Sequence, residues 1–228
     1  MPQKRVVIIA GGDLEDLNFY HNMIGDDDYI ICANGGTGHA LALGLEPDLV
    51  IGDLDSLEPR DREALEEISA EMISYPSEKD KSDLELALDH AVSINPSGIV
   101  IIGALGGARF DHAFVNALLL YIPLKKGIPA RIVDERQEII LAREEVVING
   151  TVGDCLSLFA LTNEVSGIVT TGLKYNLNNK PLRYASTLGL SNELTASEVN
   201  INFQSGLLLI IKTSAAVSRA TDFSWPGH

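Results

Sequence analysis

Up to about residue 134 the chain alternates short runs rich in valine and isoleucine with stretches whose apolar residues recur at helical spacing. The runs are RVVIIA (5–10), YIICA (29–33), LVIG (49–52), EMISY (71–75), GIVIIG (98–103) and ARIV (130–133). Between them lie segments such as REALEEI and LELALDHAVSI. Strands alternating with helices demand right-handed crossovers and a mostly parallel sheet. The runs are near-continuous in apolar residues rather than alternating, as expected when helices cover both faces.

Beyond residue 134 the helical period disappears. CLSLFAL, GIVTTGL, VNINF and GLLLIIK follow one another, with turn signals at Asn149-Gly150, Ser166-Gly167 and Ser205-Gly206. Val199, Ile201 and Phe203 alternate with Asn200 and Asn202, which predicts a strand with one wet face. This half reads as an antiparallel sandwich or barrel. The boundary falls near Asp134–Glu138, which makes 1–134 an α/β domain and 135–228 an all-β domain. From about Ala215 the strand character is lost, and the remainder reads as a tail.

In an open parallel sheet, ligands bind beyond the carboxyl ends of the strands. The residues following each predicted strand are therefore the informative ones. They are Gly11-Gly12-Asp13, then Asn34-Gly35-Gly36, then Asp53-Leu54-Asp55-Ser56, then SEKDKSD, and finally GALGGARFDH. All carry glycine, carboxylate or both, so they predict one acidic, glycine-lined rim.

Asp53 and Asp55 are two apart at a strand end and project to the same side. Their charges repel unless a proton, an arginine or a metal ion lies between them. Taken alone, the same residues serve equally well to lead into a helix that Pro59 starts. Ser82-Asp83-Leu84-Glu85 is a capping box, with Ser82 as N-cap, Glu85 reaching back and Asp83 fixed at the first helical position. Gly106-Gly107-Ala108-Arg109-Phe110-Asp111-His112 opens another helix. Its glycines admit a close ligand, its arginine can fork onto phosphate, and a tight turn capped by Asp111 is the plainer alternative.

A net charge of −15 disfavours nucleic acid and anionic membrane as partners, and a polyphosphate would need a divalent cation to mediate. There is no GxxxxGK[ST] and no GxGxxG after the first strand. His21, His39 and His90 fall within helical patterns, and no His/Cys cluster suggests zinc. Several carboxylates with oxygen-only donors point to Mg²⁺. Cys32 and Cys155 each sit in an apolar run without framework spacing, which places the chain in a reducing, cytoplasmic setting. No apolar run approaches the ~20 residues of a membrane span, and MPQKRVVIIAGG reads as a first buried strand rather than a secretory signal.

With these loops assembled, the sequence resembles the thiamine pyrophosphokinase family. The resemblance runs through IIAGG, ANGG, GDLDS, EKDKSDLELAL, GGARFDH, TTGLKYNL and LSNEL, in order and across both halves. It implies an α/β ATP-binding catalytic domain and a β-sandwich that binds thiamine. It also implies a homodimer whose active site lies between the α/β domain of one subunit and the sandwich of the other. The implied reaction moves an intact diphosphate from ATP to the thiamine hydroxyl and releases AMP, with Mg²⁺.

Carried over, Asp53, Asp55 and Asp83 would hold Mg²⁺. Lys79, Ser82 and Arg109 would meet the polyphosphate, with Gly11, Gly12, Asp13, Asn34, Gly35, Gly36, Asp80 and Gly107 completing the nucleotide site. Asp111 would lie near the reacting hydroxyl, and Ser191 and Asn192 would face the aminopyrimidine. Tyr175 and Trp225 are the aromatic candidates for the thiamine ring. Asn34 departs from the family's usual aspartate, keeping hydrogen bonding but losing the charge. An Asp-x-Asp pair also serves nucleotidyl and sugar-nucleotide transferases, and a nucleotide-sensing module without turnover is the third reading.

Overall fold

The computed structural model describes residues 3–54, 57, 59–105 and 109–215. The chain falls into two compact units, Met1–Asp134 and Glu135–His228. In the first, the order is β1 (Arg5–Ile9), α1 (Leu17–Met23), β2 (Tyr29–Ala33), α2 (Gly36–Ala42), β3 (Leu49–Gly52) and α3 (Pro59–Glu67). It continues with β4 (Glu71–Ser74), α4 (Asp83–Ser93), β5 (Gly98–Ile102), α5 (Phe110–Leu119), α6 (Tyr121–Leu124) and β6 (Ala130–Val133).

The sheet runs β6-β5-β1-β2-β3-β4, and every pairing within it is parallel. Val6 pairs with Tyr29 on one side, while Arg5 pairs with Gly98 on the other. All five β5 residues and all four β3 residues are buried, and α4 packs on β1, β2 and β3 while α2 packs on β1 and β2. Continuous burial is the reason these strands lack alternation. Helix α4 turns Leu84, Ala87, Leu88 and Ala91 inward, a spacing that forms one apolar stripe.

Local signals set the helix ends. The Asp16 carboxylate accepts from the Asn18 and Phe19 amides and starts α1. Ser82 Oγ accepts from the Glu85 amide at 3.2 Å and starts α4. The expected reciprocal bond is not made, because the Glu85 carboxylate turns to Lys81 at 3.6 Å, where it meets a charge. Asp111 is not the cap of α5; Arg109 holds that position and Asp111 lies in the first turn. The helix starts earlier than a carboxylate cap would set it.

The second unit contains β7 (Gln137–Ala142), β8 (Val146–Asn149), β9 (Cys155–Ala160), β10 (Glu164–Val165) and β11 (Val169–Thr171). Then follow β12 (Leu182–Arg183), β13 (Asn192–Glu193), β14 (Glu198–Asn202) and β15 (Leu208–Thr213). Strands β13-β9-β15-β7 form one antiparallel sheet segment and β11-β14-β8 another, with β10-β12 a short pair. Leu156 and Leu158 of β9 and Leu208 and Ile210 of β15 share one core with Ile148, Val199 and Ile201 of β8 and β14. That is a sandwich, two sheets closing on an apolar interior. In β14, Val199 and Ile201 are buried while Asn202 is exposed, as the alternation predicts.

The two Ser-Gly turns are tied together. The Ser166 amide donates to Ser205 O at 3.0 Å and their hydroxyls lie 2.7 Å apart. Among the described residues no helix is long and apolar enough to cross a membrane. The predicted tail from 216 onward, including Trp225, lies outside the described residues.

Gly36 and Gly38 offer a paired test of how tightly the first unit's carboxyl edge is built. A Cβ on Gly36 would lie 1.9 Å from the Ile9 carbonyl oxygen, whereas one on Gly38 would lie 3.9 Å from its nearest neighbour, an Asp61 side-chain oxygen. Gly36→Ala should destabilise by about 1–3 kcal/mol or more. Gly38→Ala, in the same helix, should be neutral or stabilise by up to ~1 kcal/mol. Urea midpoints of the two variants measure both.

Candidate active site

Chain direction locates the site. From β1 the chain steps outward through β2, β3 and β4, then returns to place β5 on the other flank of β1. The crossovers therefore diverge at the carboxyl end of β1, the topological switch point where open α/β sheets bind ligands. Here the backbones are locked together. Gly12 N donates to Gly103 O at 2.7 Å, Ala10 N to Ile102 O at 2.9 Å and Asn34 N to Ile51 O at 2.8 Å.

The glycines among these loops leave little or no room for a side chain. A Cβ on Gly12 would lie 2.5 Å from Gly103 O, and one on Gly11 would lie 3.2 Å from the Gly35 α-carbon. Gly11, Gly12, Gly35 and Gly36 are thus brought together at one end of the sheet. Gly103 belongs with them, in the left-handed region at φ 64. Its signal was a glycine at a strand terminus, but its close partner is set by strand order.

The charged residues reach this edge in pairs. Asn34 Nδ2 donates to Asp53 Oδ1 at 3.1 Å. Lys79 Nζ lies 2.6 Å from Asp83 Oδ1, with both side chains mostly buried. Arg109 donates from Nε to Asp111 Oδ1 at 3.0 Å and from its guanidinium to Oδ2 at 2.5 Å, with both side chains well exposed. Asp13, Asp80 and Ser82 stand exposed on their loops. Asp55, Ser56 and Gly107 lie outside the described residues. Among the described residues, no group of three His, Cys, Asp or Glu side chains gathers as a metal site.

In the second unit, the Asn192 amide is a bracket. It is buried, its Oδ1 accepts from the Tyr175 and Glu193 amides at 3.1 and 2.9 Å, and its Nδ2 donates to Tyr175 O at 2.8 Å. Those bonds pin the backbone of Tyr175 at both its donor and its acceptor, while its side chain stays 67% exposed. Ser191 is exposed at φ 54, and its amide donates to Ser157 Oγ at 3.0 Å. The sequence names these residues but gives no sign of the bracket, which joins segments far apart in the chain.

Comparison with known proteins agrees with both units. The family model described as "Thiamin pyrophosphokinase, catalytic domain" matches residues 20–132. The model "Thiamin pyrophosphokinase, vitamin B1 binding domain" matches residues 138–208. The chain belongs to the thiamine pyrophosphokinase family.

Thiamine pyrophosphokinases are enzymes that make thiamine diphosphate. The chain is 32% identical over 216 residues to the "Thiamine pyrophosphokinase" of Bacillus subtilis, covering 92% of this chain and 99% of that one. It is also similar to the crystal structure of a Bacillus subtilis thiamine pyrophosphokinase, with TM-score 0.84 and 31% identity over 93% of this chain and 100% of that one. The thiamin pyrophosphokinase from Geobacillus thermodenitrificans follows at TM-score 0.80 and 31% identity, covering 94% and 100%. The yeast thiamin pyrophosphokinase, at 16% identity and TM-score 0.73 over 93% and 87%, shares the fold alone.

In this thiamine pyrophosphokinase family member, the Arg109 guanidinium bonded to Asp111 holds that carboxyl down at about 2. The pair's interaction is therefore complete above the ordinary aspartate value of ~3.9 and fades as pH falls toward the depressed one. A carboxylate so held is a poor proton acceptor until the arginine moves. Arg109→Gln should return the Asp111 carboxyl toward the ordinary value. Carbon-detected NMR titration of the Asp111 side chain measures it.

Proposed function

We propose that the chain transfers the β,γ-diphosphate of ATP intact to the hydroxyl of thiamine, giving thiamine diphosphate and AMP, with Mg²⁺ as the required ion. The observation that carries this reading is the convergence of Asn34, Asp53 and a glycine cradle at the switch point of a chain in this family. The donors there are carboxylate oxygens, and such donors fit a hard divalent cation. Asp53 and Asp83, with Asp55, would hold it. Bound there, Mg²⁺ neutralises charge on the polyphosphate.

The chain's own residues supply the rest. Backbone at Gly11, Gly12, Gly35 and Gly36 lets phosphate oxygens approach without steric obstruction. Asp13, Asp80, Ser82 and Gly107 complete the nucleotide loops. Lys79 leaves Asp83 for a phosphate oxygen, which frees that carboxylate. Arg109 exchanges Asp111 for phosphate in the same way, and Asp111 regains ordinary basicity beside the alcohol. Asp111 then accepts the hydroxyl proton or orients the hydroxyl. The alcohol oxygen bonds to the β-phosphorus, the bond from that phosphorus to the α-bridging oxygen breaks, and AMP departs with its electron pair.

On the thiamine side, Ser191 offers an exposed hydroxyl and Tyr175 an exposed ring on a backbone that Asn192 fixes. A nucleotidyl or sugar-nucleotide transferase would leave that arrangement unused. We also infer a homodimer. Helix α5 exposes Phe110 (79%) and Phe114 (52%) side by side on one face, an apolar surface that a second copy would cover. We take the cytoplasm as its place of work, in keeping with the free thiols of Cys32 and Cys155.

Purified protein with Mg²⁺ and ATP should release AMP only when thiamine is added, and chelation should stop it. Asp53→Asn or Asp55→Asn should lower turnover by about two orders of magnitude with the circular dichroism spectrum unchanged. Release of pyrophosphate in place of AMP, or nucleotide binding without turnover, would reject the reaction. For the assembly, Phe114→Glu should shift the sedimentation coefficient from dimer to monomer; a wild-type monomer would remove the inference.

A further inference from the structure

Asn34 is fixed more firmly than a residue that merely brushes a nucleotide would require. It follows β2 in the left-handed region at φ 42, which asparagine tolerates better than most side chains. Its amide nitrogen donates to Ile51 O at 2.8 Å, across to β3. Its carbonyl accepts from Thr37 N at 3.0 Å and from Thr37 Oγ1 at 2.9 Å, and Thr37 is wholly buried. Its side chain rests directly on Gly52, where an added Cβ would lie 2.8 Å from Asn34 Cβ and 3.1 Å from Cγ. The residue after Gly52 is Asp53, and the Asn34 amide donates to its Oδ1 at 3.1 Å.

We propose that Asn34 is a positioning residue that orients the Asp53 carboxylate for a divalent cation while adding no negative charge of its own. The inference rests on the reading of Asp53 as a metal-holding carboxylate. Gly52 serves as the flat seat for the orienting amide, and the backbone bonds to Ile51 and Thr37 stop that amide from rotating away with the loop. A second carboxylate at that distance would repel Asp53; an amide N–H attracts it and restricts its rotation. Outer partners of this kind set ligand orientation, and their loss costs metal affinity about 10- to 100-fold.

The test compares full-length wild type, Asn34→Ala, Asn34→Gly, Asp53→Asn and the Asn34→Gly/Asp53→Asn double variant. Glycine accepts the left-handed backbone, so Asn34→Gly removes the amide without the strain that alanine brings. Mn²⁺ affinity is read by water proton relaxation with no nucleotide present. Alongside it run the Mg²⁺ dependence of AMP formation, the KM for thiamine and the thermal midpoint. Asn34→Gly should weaken Mn²⁺ binding about 10- to 100-fold and raise the Mg²⁺ requirement in parallel, with the thiamine KM unchanged. In the Asp53→Asn background the same change should cost less than about twofold, because the amide acts through that carboxylate.

Equal losses in both backgrounds would overturn the proposal. So would unchanged Mn²⁺ affinity with a raised KM for ATP, the mark of a direct nucleotide contact. A fall in thermal midpoint without a change in Mn²⁺ affinity would also overturn it, by making Asn34 a fold residue. A wild type that binds Mn²⁺ but forms no thiamine-dependent AMP would sink the proposed reaction, while the relaxation titration would still judge Asn34.

Discussion

The backbone contact between Gly12 and Gly103 is the constraint on which the first unit depends. Strand β1 is flanked by β2 and β5, which the chain reaches in opposite directions, and their connecting loops must leave from the same edge. The Gly12 amide meets the Gly103 carbonyl at 2.7 Å, with no room for a side chain between them. Main-chain atoms and bare α-carbons therefore line this edge. A side chain at either position would push the two loops apart. The opposite edge has another task. Arg5 bonds Asp28 there and also donates to Met23 O at 2.9 Å, tying the starts of β1 and β2. The amino ends carry a side-chain clamp, and the carboxyl ends carry backbone contacts with little room for side chains.

Much of this was legible because burial on both faces leaves a crude mark. The predicted strand runs of the first half end within one residue of β1 to β6, since apolar residues fill the buried positions of the inner strands, although edge strand β4 has no buried residue. Strands β7 and β8 were missed, because Arg143-Glu144-Glu145 breaks QEIILA from VVIN and no period survives where the chain passes from one sheet of the sandwich to the other. The two-residue strands β10, β12 and β13 cannot show any period, and backbone pairing alone defines them. GIVTTGL yielded only Val169–Thr171, because Gly172 turns the chain at φ 82.

The candidate site divides in the same way. Which loops meet follows from the rule that ligands sit beyond strand ends, so the residues could be named from the chain alone. Which atoms pair does not follow. Lys79 with Asp83 lies within the reach of local spacing, four residues apart. Asn34 with Asp53, and Asn192 with Tyr175, join segments whose proximity exists only after folding. In the second pair, Asn192 spends most of its hydrogen-bonding capacity within the protein, on Tyr175 and the Glu193 amide.

The resting pairs explain how so acidic a rim can be stable and still receive an anion. Asp53, Asp83 and Asp111 each meet a donor from the protein, which offsets local repulsion while the net charge stays at −15. Ion pairs near solvent are held weakly, since water competes for both partners. In the proposed reaction a polyphosphate would present several charges at once to Lys79 and Arg109 and would outcompete single carboxylates for them. That exchange would release Asp83 and Asp111 as the substrate arrives, and a cation is the natural successor partner for a released carboxylate. Asn34 differs in kind. It carries no charge for the ligand to attract, so on the proposed reading its bond to Asp53 would outlast the exchange and leave one carboxylate oriented while the others change partners.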